Sequence, residues 1–159
     1  MIDAPSGVAV RAIEAHDREQ WEPLWEAYNA FYGRKGATAL SPAVTETTWR
    51  RFHDPAEPVH ALVAEQDGAL VGLAHYLFHR STILVEPTCY LQDLYTVEAM
   101  RGSGVGAALI AVVCERACEN GASRLYWQTH EGNETAMRLY DRIAERSGFI
   151  VYRIPLEPR

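Results

Sequence analysis

The chain has 159 residues, 48% hydrophobic and 23% charged, which is the size and mixture of one globular domain with a single core, so 1–159 is expected to form one domain. A formal net charge of −6 argues against a nucleic acid as partner and is compatible with a cationic amine as ligand. No apolar stretch is long enough to cross a bilayer, and residues 1–7 carry Asp3 and lack the apolar core of a signal peptide, so neither membrane insertion nor export is expected.

Residues 8–13 have strand character, and across 17–32 the apolar spacing becomes helical through Trp21, Leu24, Trp25, Tyr28 and Phe31 or Tyr32. The turn Gly33-Arg34-Lys35-Gly36, with Ser41-Pro42 beyond it, breaks that helix, and 44–53 reads as a second short helix stopped by Asp54-Pro55. Strand-like runs at 59–65 and 72–79 flank Asp67-Gly68, a hairpin signal, so the centre of the sheet is expected to be partly antiparallel. A strand at 88–96 is followed by a helix at 104–119, whose apolar stripe is Leu109, Val112, Val113 and Ala117 and whose stop is Gly121. A further strand is predicted at 124–129. Asn133 then has the side chain of an N-cap, for a helix with Ala136, Tyr140, Ile143 and Ala144 inward and Gly148 at its end. Residues 149–154 read as a last strand, whose apolar Phe149-Ile150-Val151-Tyr152 run is either internal or the seam of a homodimer.

Cys89, Cys114 and Cys118 are odd in number and lack metal-ligand spacing. Buried free thiols in a reducing cytoplasm are the expected state, with no metal site.

Between the predicted strand 88–96 and helix 104–119 lies Arg101-Gly102-Ser103-Gly104-Val105-Gly106. Glycines remove the Cβ atoms that keep an anion off the main chain, and the following helix offers unpaired N–H groups and the positive end of its dipole. Arg101 adds a fixed positive charge, so the segment is suited to a diphosphate. A dinucleotide fingerprint needs its third glycine one residue further on, and a P-loop needs Gly-Lys-Ser/Thr at its end; this chain has neither. An ordinary flexible turn is the other reading of the loop taken alone.

Arg-Gly-x-Gly-x-Gly after Asp93-Leu94-Tyr95-Thr96 resembles the pyrophosphate-binding signature of the GNAT superfamily of acyl-CoA-dependent N-acetyltransferases. The resemblance continues through Leu125-Tyr126-Trp127-Gln128-Thr129, Asn133, Tyr140 and Gly148-Phe149, and is nearest to the branch of histone and polyamine acetyltransferases. It implies an α/β (α+β) fold with a mixed central sheet of about six to seven strands, flanked by about four helices and splayed between the two central strands. It also implies acetyl-CoA as cosubstrate. On the same ground the main chain of Leu94, Tyr95 and Thr96 pairs with pantetheine and turns one amide toward the thioester carbonyl. Amides of Arg101, Gly102, Ser103, Gly104, Val105, Gly106 and Ala107 hold the pyrophosphate, and Asn133 binds pantetheine or caps its helix.

Acetyl transfer to an amine needs an anchored cofactor, a polarised carbonyl, a neutral amine and a proton for the departing thiolate. Tyr140 is the candidate acid, since a phenol with a reference pKa of about 10 is protonated at neutral pH; it follows Asn133 by seven positions, two helical turns along one face. In the polyamine branch a glutamate that helps deprotonate the amine stands where this chain has Gln92, which can order water or amine but cannot take a proton. Asp93 is the neighbouring carboxylate, a candidate for binding the amine, although strand alternation sends it to the opposite face unless a splay or bulge turns it. His75, His79 and His130 are either proton relays or solvated and satisfied structural histidines. The aromatic-rich segments 21–32 and 38–53, with Glu22, Glu26 and Glu46, occupy the part of such chains that walls the acceptor site. They suit a small cationic amine, and a solvated helix face is the plainer reading of each glutamate. Two functions follow: an amine N-acetyltransferase acting by direct attack in a ternary complex, or a CoA-binding regulatory module without turnover.

Overall fold

The computed structural model describes residues 5–156, and the chain divides after Gln128 into two compact units. The first unit contains β1 (Val8–Ala12), a 3-10 turn at Ala15–Asp17, α1 (Arg18–Phe31), α2 (Pro42–Phe52), β2 (Val59–Gln66), β3 (Ala69–His79), β4 (Thr88–Thr96), α3 (Val105–Glu119) and β5 (Arg124–Trp127). The strands form one sheet in the order β1-β2-β3-β4-β5, antiparallel as far as β4, with β5 parallel to β4. The β2–β3 hairpin turns on Asp67 and Gly68, both with positive φ (51° and 81°), the twist that matches flanking strands.

Two layers cover the sheet. On one face α1 presents Trp21, Leu24, Trp25 and Tyr28 at helical spacing, all buried, against Ala61, Val63 and Leu73, with Trp49 and Phe52 of α2 closing the cluster. Phe31 and Tyr32, expected to continue that stripe, are exposed. On the other face α3 buries Val105, Leu109 and Val113 completely. Gly72 of β3 lies beneath them: a Cβ there would stand 3.0 Å from Val105 Cγ1, 3.1 Å from Leu109 Cδ1 and 3.0 Å from the Tyr95 carbonyl oxygen. The absence of a side chain at Gly72 therefore sets how closely α3 approaches the sheet.

The entry into α1 is pinned by charge. Arg11 of β1 grips Asp17 with both terminal nitrogens at 2.7 and 2.8 Å and reaches Glu65 of β2 at 2.7 Å. Asp17 also accepts the Glu14 N–H at 2.8 Å and is 1% exposed. The guanidinium bond holds the Asp17 carboxyl below the ordinary range against the opposing effect of burial, with the Glu14 amide adding to the lowering.

The second unit begins at Thr129 and contains α4 (Glu134–Ile143). Asn133 takes the N-cap position, but its side chain does not cap the helix; its Nδ2 points to Thr129 Oγ1 at 3.4 Å. The helix ends at Ile143 rather than at Gly148, because Ala144 is fully extended (φ −147°, ψ 173°).

Several expectations need correction. Among the described residues the sheet has five strands, not six or seven, and residues 149–154 form no strand. A strand exists only where a neighbour completes its ladder, and this apolar run lies exposed, with Phe149 at 91%. The strand predicted at 124–129 ends at Trp127, where its pairing with β4 ends. Cys89 is buried as expected, whereas Cys114 and Cys118 are exposed, since they lie off the Leu109–Val113–Ala117 stripe of α3. Among the described residues no helix is long and apolar enough to cross a membrane.

Candidate active site

The sheet opens in the middle of β4. Its parallel ladder with β5 runs from Thr88↔Arg124 to Leu91↔Trp127 and stops, while its antiparallel ladder with β3 continues to Thr96↔Gly72. Among the described residues Asp93, Leu94, Tyr95 and Thr96 are thus paired along the β3 edge only, and Gln92 is paired in neither ladder. The alternate main-chain groups not used by β3 face the opened side, which is the splay expected between the central strands and the place for an extended ligand to pair.

Beyond this edge the chain makes the glycine turn. Gly102 and Gly104 have φ of 79° and 101°, left-handed conformations that residues with a side chain avoid, and α3 starts at the next residue, Val105. Ser103 ties the turn to Met100 through its N–H (3.3 Å) and hydroxyl (2.6 Å), both donating to the same carbonyl. Arg101, Gly102 and Ser103 are exposed and Gly104 and Gly106 half-buried. The first amides of any α-helix lack intrahelical acceptors, and here the capping residue is a glycine with no side chain to satisfy them. Val105, Gly106 and Ala107 therefore present donors to an anion at the positive helix end. The residues fit the pyrophosphate of a coenzyme A thioester. Arg101 sits at the rim, with its guanidinium carbon 6.0 Å from the ring centres of both Tyr95 and Phe31.

A bulge decides the orientation of the two acid–base candidates on β4. His75 pairs with Asp93 and Tyr76 with Leu91, which leaves Gln92 as an extra residue. Without the bulge Leu91 and Asp93 would share a face. With it, Leu91 joins Tyr76 on the α3 face and Asp93 joins His75 on the face covered by α1 and α2. Gln92 is exposed and Asp93 only 8% exposed.

Around Asp93 the structure builds a buried polar network. His75 Nδ1 lies 3.0 Å from Asp93 Oδ2, and the Trp21 indole N–H donates to His75 Nε2 at 3.0 Å. The Tyr28 hydroxyl lies close enough to Asp93 to be acted on by its charge. Burial pushes the Tyr28 phenol far above its usual range, and the charge of Asp93 pushes it further. Among the described residues no Lys or Arg lies within ion-pair distance of Asp93, whose one such partner is His75. Trp25 Nε1 is a buried donor without a hydrogen-bond partner, on a ring 5.2 Å from that of His75.

The structure therefore unites Asp93 and His75, separates Gln92 from both, and adds Trp21 and Tyr28, which the sequence reading placed in the core and in the wall of the acceptor site but not beside Asp93. A signal was present in the sequence: His75 interrupts the apolar run Leu73-Ala74-His75-Tyr76-Leu77, and a histidine inside a buried strand requires partners. His79 and His130 lie elsewhere. His79 Nε2 meets the Tyr126 hydroxyl at 3.0 Å, and His130 accepts the Gly132 N–H at 3.0 Å on its own loop in the second unit. Cys89 is buried on β4, and burial pushes its thiol up to about 12, so it is no ready nucleophile. Tyr140 and Asn133 are half-buried on or beside α4.

A sheet opened beside a glycine turn that starts a helix is the frame of an acyl-CoA-dependent transferase. The chain matches the acetyltransferase (GNAT) family over residues 19–144 and belongs to that family. It is accordingly an N-acetyltransferase with acetyl-CoA as cosubstrate. Among similar proteins, the D-amino-acid N-acetyltransferase HPA3 of Saccharomyces cerevisiae is 37% identical over 148 residues, covering 92% of this chain and 89% of that one. The thialysine N-epsilon-acetyltransferase of Bos taurus is 36% identical over 89 residues, 51% of this chain and 52% of that one. Of solved structures, AAC(6')-Iy in complex with a CoA-S-monomethyl-acetylneamine bisubstrate analogue shares the fold, with a TM-score of 0.78 at 15% identity over 95% of this chain and 99% of that one.

Proposed function

We propose that this N-acetyltransferase acts on the primary amine of a small cationic acceptor, with amino acids and lysine-like side chains as the leading class, by direct attack in a ternary complex. The observation that carries the reading is the Asp93 carboxylate. It is turned by a bulge onto the aromatic face, pairs with no Lys or Arg among the described residues, and lies next to the opened edge of β4. A buried carboxylate without a cationic side chain is an electrostatic seat for an ammonium group, and the π faces of Trp25, Tyr28 and Phe52 add to the attraction. The names of the two relatives, which concern amino-acid amines, support the same class.

Acetyl-CoA supplies an acyl carbon activated as a thioester. The main chain of Leu94, Tyr95 and Thr96 pairs with its pantetheine arm, and one of those amides donates to the carbonyl oxygen as negative charge develops there, a contribution of about 2.7–4 kcal/mol for a donor of this type. Amides of Gly102, Gly104, Val105, Gly106 and Ala107 grip the pyrophosphate, while those of Arg101 and Ser103, expected to join them, instead donate to the carbonyls of Glu98 and Met100 and shape the turn. Asp93 seats the acceptor nitrogen, and the proton lost from that nitrogen passes to water; Gln92, which the bulge leaves exposed and apart from Asp93, takes no part in that step. Tyr140 serves as the acid for the leaving thiolate, and Asn133 as a pantetheine ligand. No cysteine intermediate is involved, in keeping with the raised Cys89 thiol.

The deciding experiment is thiol release from acetyl-CoA with D- and L-amino acids, lysine and thialysine, polyamines, aminoglycosides and a lysine peptide. Turnover is expected to be fastest with small amino-acid amines; preference for the peptide or the aminoglycosides removes the small-acceptor assignment.

A further inference from the structure

We infer that His75 is a positioning residue locked in its neutral Nδ1–H form by Trp21, so that it holds the Asp93 carboxylate in place and leaves the cluster with the net negative charge that receives a cationic acceptor. The inference deepens the reading of Asp93 given above and rests on it.

The argument runs from donors and acceptors. An indole N–H only donates, so the 3.0 Å bond from Trp21 Nε1 requires a lone pair on His75 Nε2. A neutral ring with that lone pair carries its proton on Nδ1, which lies 3.0 Å from Asp93 Oδ2 and donates to it. Protonation of Nε2 would set two N–H groups against each other inside a site that leaves His75 2% exposed. The other surroundings offer nothing to stabilise an imidazolium by exchange of partners. From α1 come Trp21 and Trp25, ring centres 6.0 and 5.2 Å away, and from α2 comes Phe52 at 4.7 Å. From β2 the residue in register is Ala61. The charged and titratable groups acting on the cluster are Asp93 and, further off, Tyr90 from β4, with Tyr28 from α1 and Tyr32 at its end. Arg34 lies 5.8 Å over the Tyr28 ring, and Arg18 covers the outer side of Trp21 while paired to Glu22 and Glu46.

The consequence concerns charge. With His75 neutral, Asp93 accepts the hydrogen bond of its Nδ1–H without being neutralised by it. With His75 protonated, the pair would be neutral and would lose its attraction for an ammonium group. Trp21, although buried in the aromatic layer, is in this view part of the electrostatics of the acceptor site.

Imidazole nitrogen NMR of the parent protein tests the lock. The expected result at neutral pH is a His75 ring with its proton on Nδ1 and a lone pair on Nε2. An Nε2–H tautomer or a doubly protonated ring overturns the inference whether or not any amine is turned over. Trp21→Phe removes the donor to Nε2, and the His75 ring is then expected to lose its single tautomer. With an active acceptor in hand, His75→Leu is expected to raise KM for the amine about tenfold or more, with KM for acetyl-CoA unchanged. His75→Asn, which keeps a donor toward Asp93, should restore it. Equal KM values in parent and His75→Leu overturn the positioning role. Absence of turnover with every amine would instead strike the functional reading and leave the NMR result to judge the lock.

Discussion

Asp93 and His75 stand opposite each other across β3 and β4, joined by a 3.0 Å hydrogen bond immediately beside the bulge that expels Gln92 from the ladder. One extra residue in β4 thus exchanges the faces of two side chains, bringing a carboxylate to the aromatic side of the sheet and leaving an amide exposed.

Replacing that carboxylate by its isostere tests what the charge does. Asp93→Asn keeps an acceptor for His75 and the volume, but removes the charge. KM for a cationic acceptor is expected to rise about 10- to 100-fold, the range of a charge-assisted hydrogen bond, with acetyl-CoA affinity little altered. Steady-state kinetics in both substrates decides; an unchanged amine KM excludes Asp93 from the acceptor site.

The glycine turn is tested at Gly104, where φ is 101° and a Cβ would meet Pro5 Cγ at 3.5 Å. Gly104→Glu adds backbone strain of about 1–2 kcal/mol and a negative charge beside the bound phosphates. Affinity for CoA by calorimetry should fall at least about tenfold. Parental affinity would contradict the assignment of the loop.

Gly72→Ala forces a methyl group between Tyr95, Val105 and Leu109. Overpacking of this kind costs about 1–3 kcal/mol, so the thermal midpoint should drop by several degrees. CoA affinity should fall as well, because the displaced residues include Tyr95 of β4 and Val105, the first residue of α3. A variant as stable as the parent would show that α3 adjusts freely.

The Arg11–Asp17 pair predicts a pH dependence of stability. The carboxyl of Asp17 titrates lower in the folded chain than its ordinary value of about 3.9, so its contribution is fully present above that value and is lost as pH falls through the folded one. Asp17→Asn should therefore be less stable by about 1–3 kcal/mol at neutral pH, and the gap should close on acidification below about pH 4. Urea unfolding of parent and variant across that range checks this; a gap independent of pH would assign the effect to shape alone.

Tyr140→Phe removes a proton donor at little change in volume. If Tyr140 is the acid for the thiolate, turnover should fall by about 100-fold with CoA affinity retained. Pre-steady-state and steady-state thiol release measure it, and parental rates would end the assignment.

Local features were readable from the chain because their causes are local. The Asp67-Gly68 turn, the helical spacing of Trp21, Leu24, Trp25 and Tyr28, and the left-handed glycines 102 and 104 each follow from what a residue permits to its own backbone or to neighbours a turn away. The order of elements followed from the same signals, and with it the family.

Pairing was another matter. The run 149–154 has strand composition, yet strand formation depends on a partner's free edge, which no residue of the run encodes. Likewise, alternation along β4 correctly separates Gln92 from Asp93, but the bulge that chooses their faces comes from the register with β3, which depends on both strands and on how α1 and α3 pack. Trp21, fifty-four positions from His75, illustrates the division: its burial was legible as one position in an apolar stripe, whereas its bond to a histidine on β3 exists only once the helix lies across the sheet. Residue types thus determined the elements and the glycine turn of this protein; tertiary packing alone decided which side chains meet around Asp93, because contact between distant residues is a property of the closed chain.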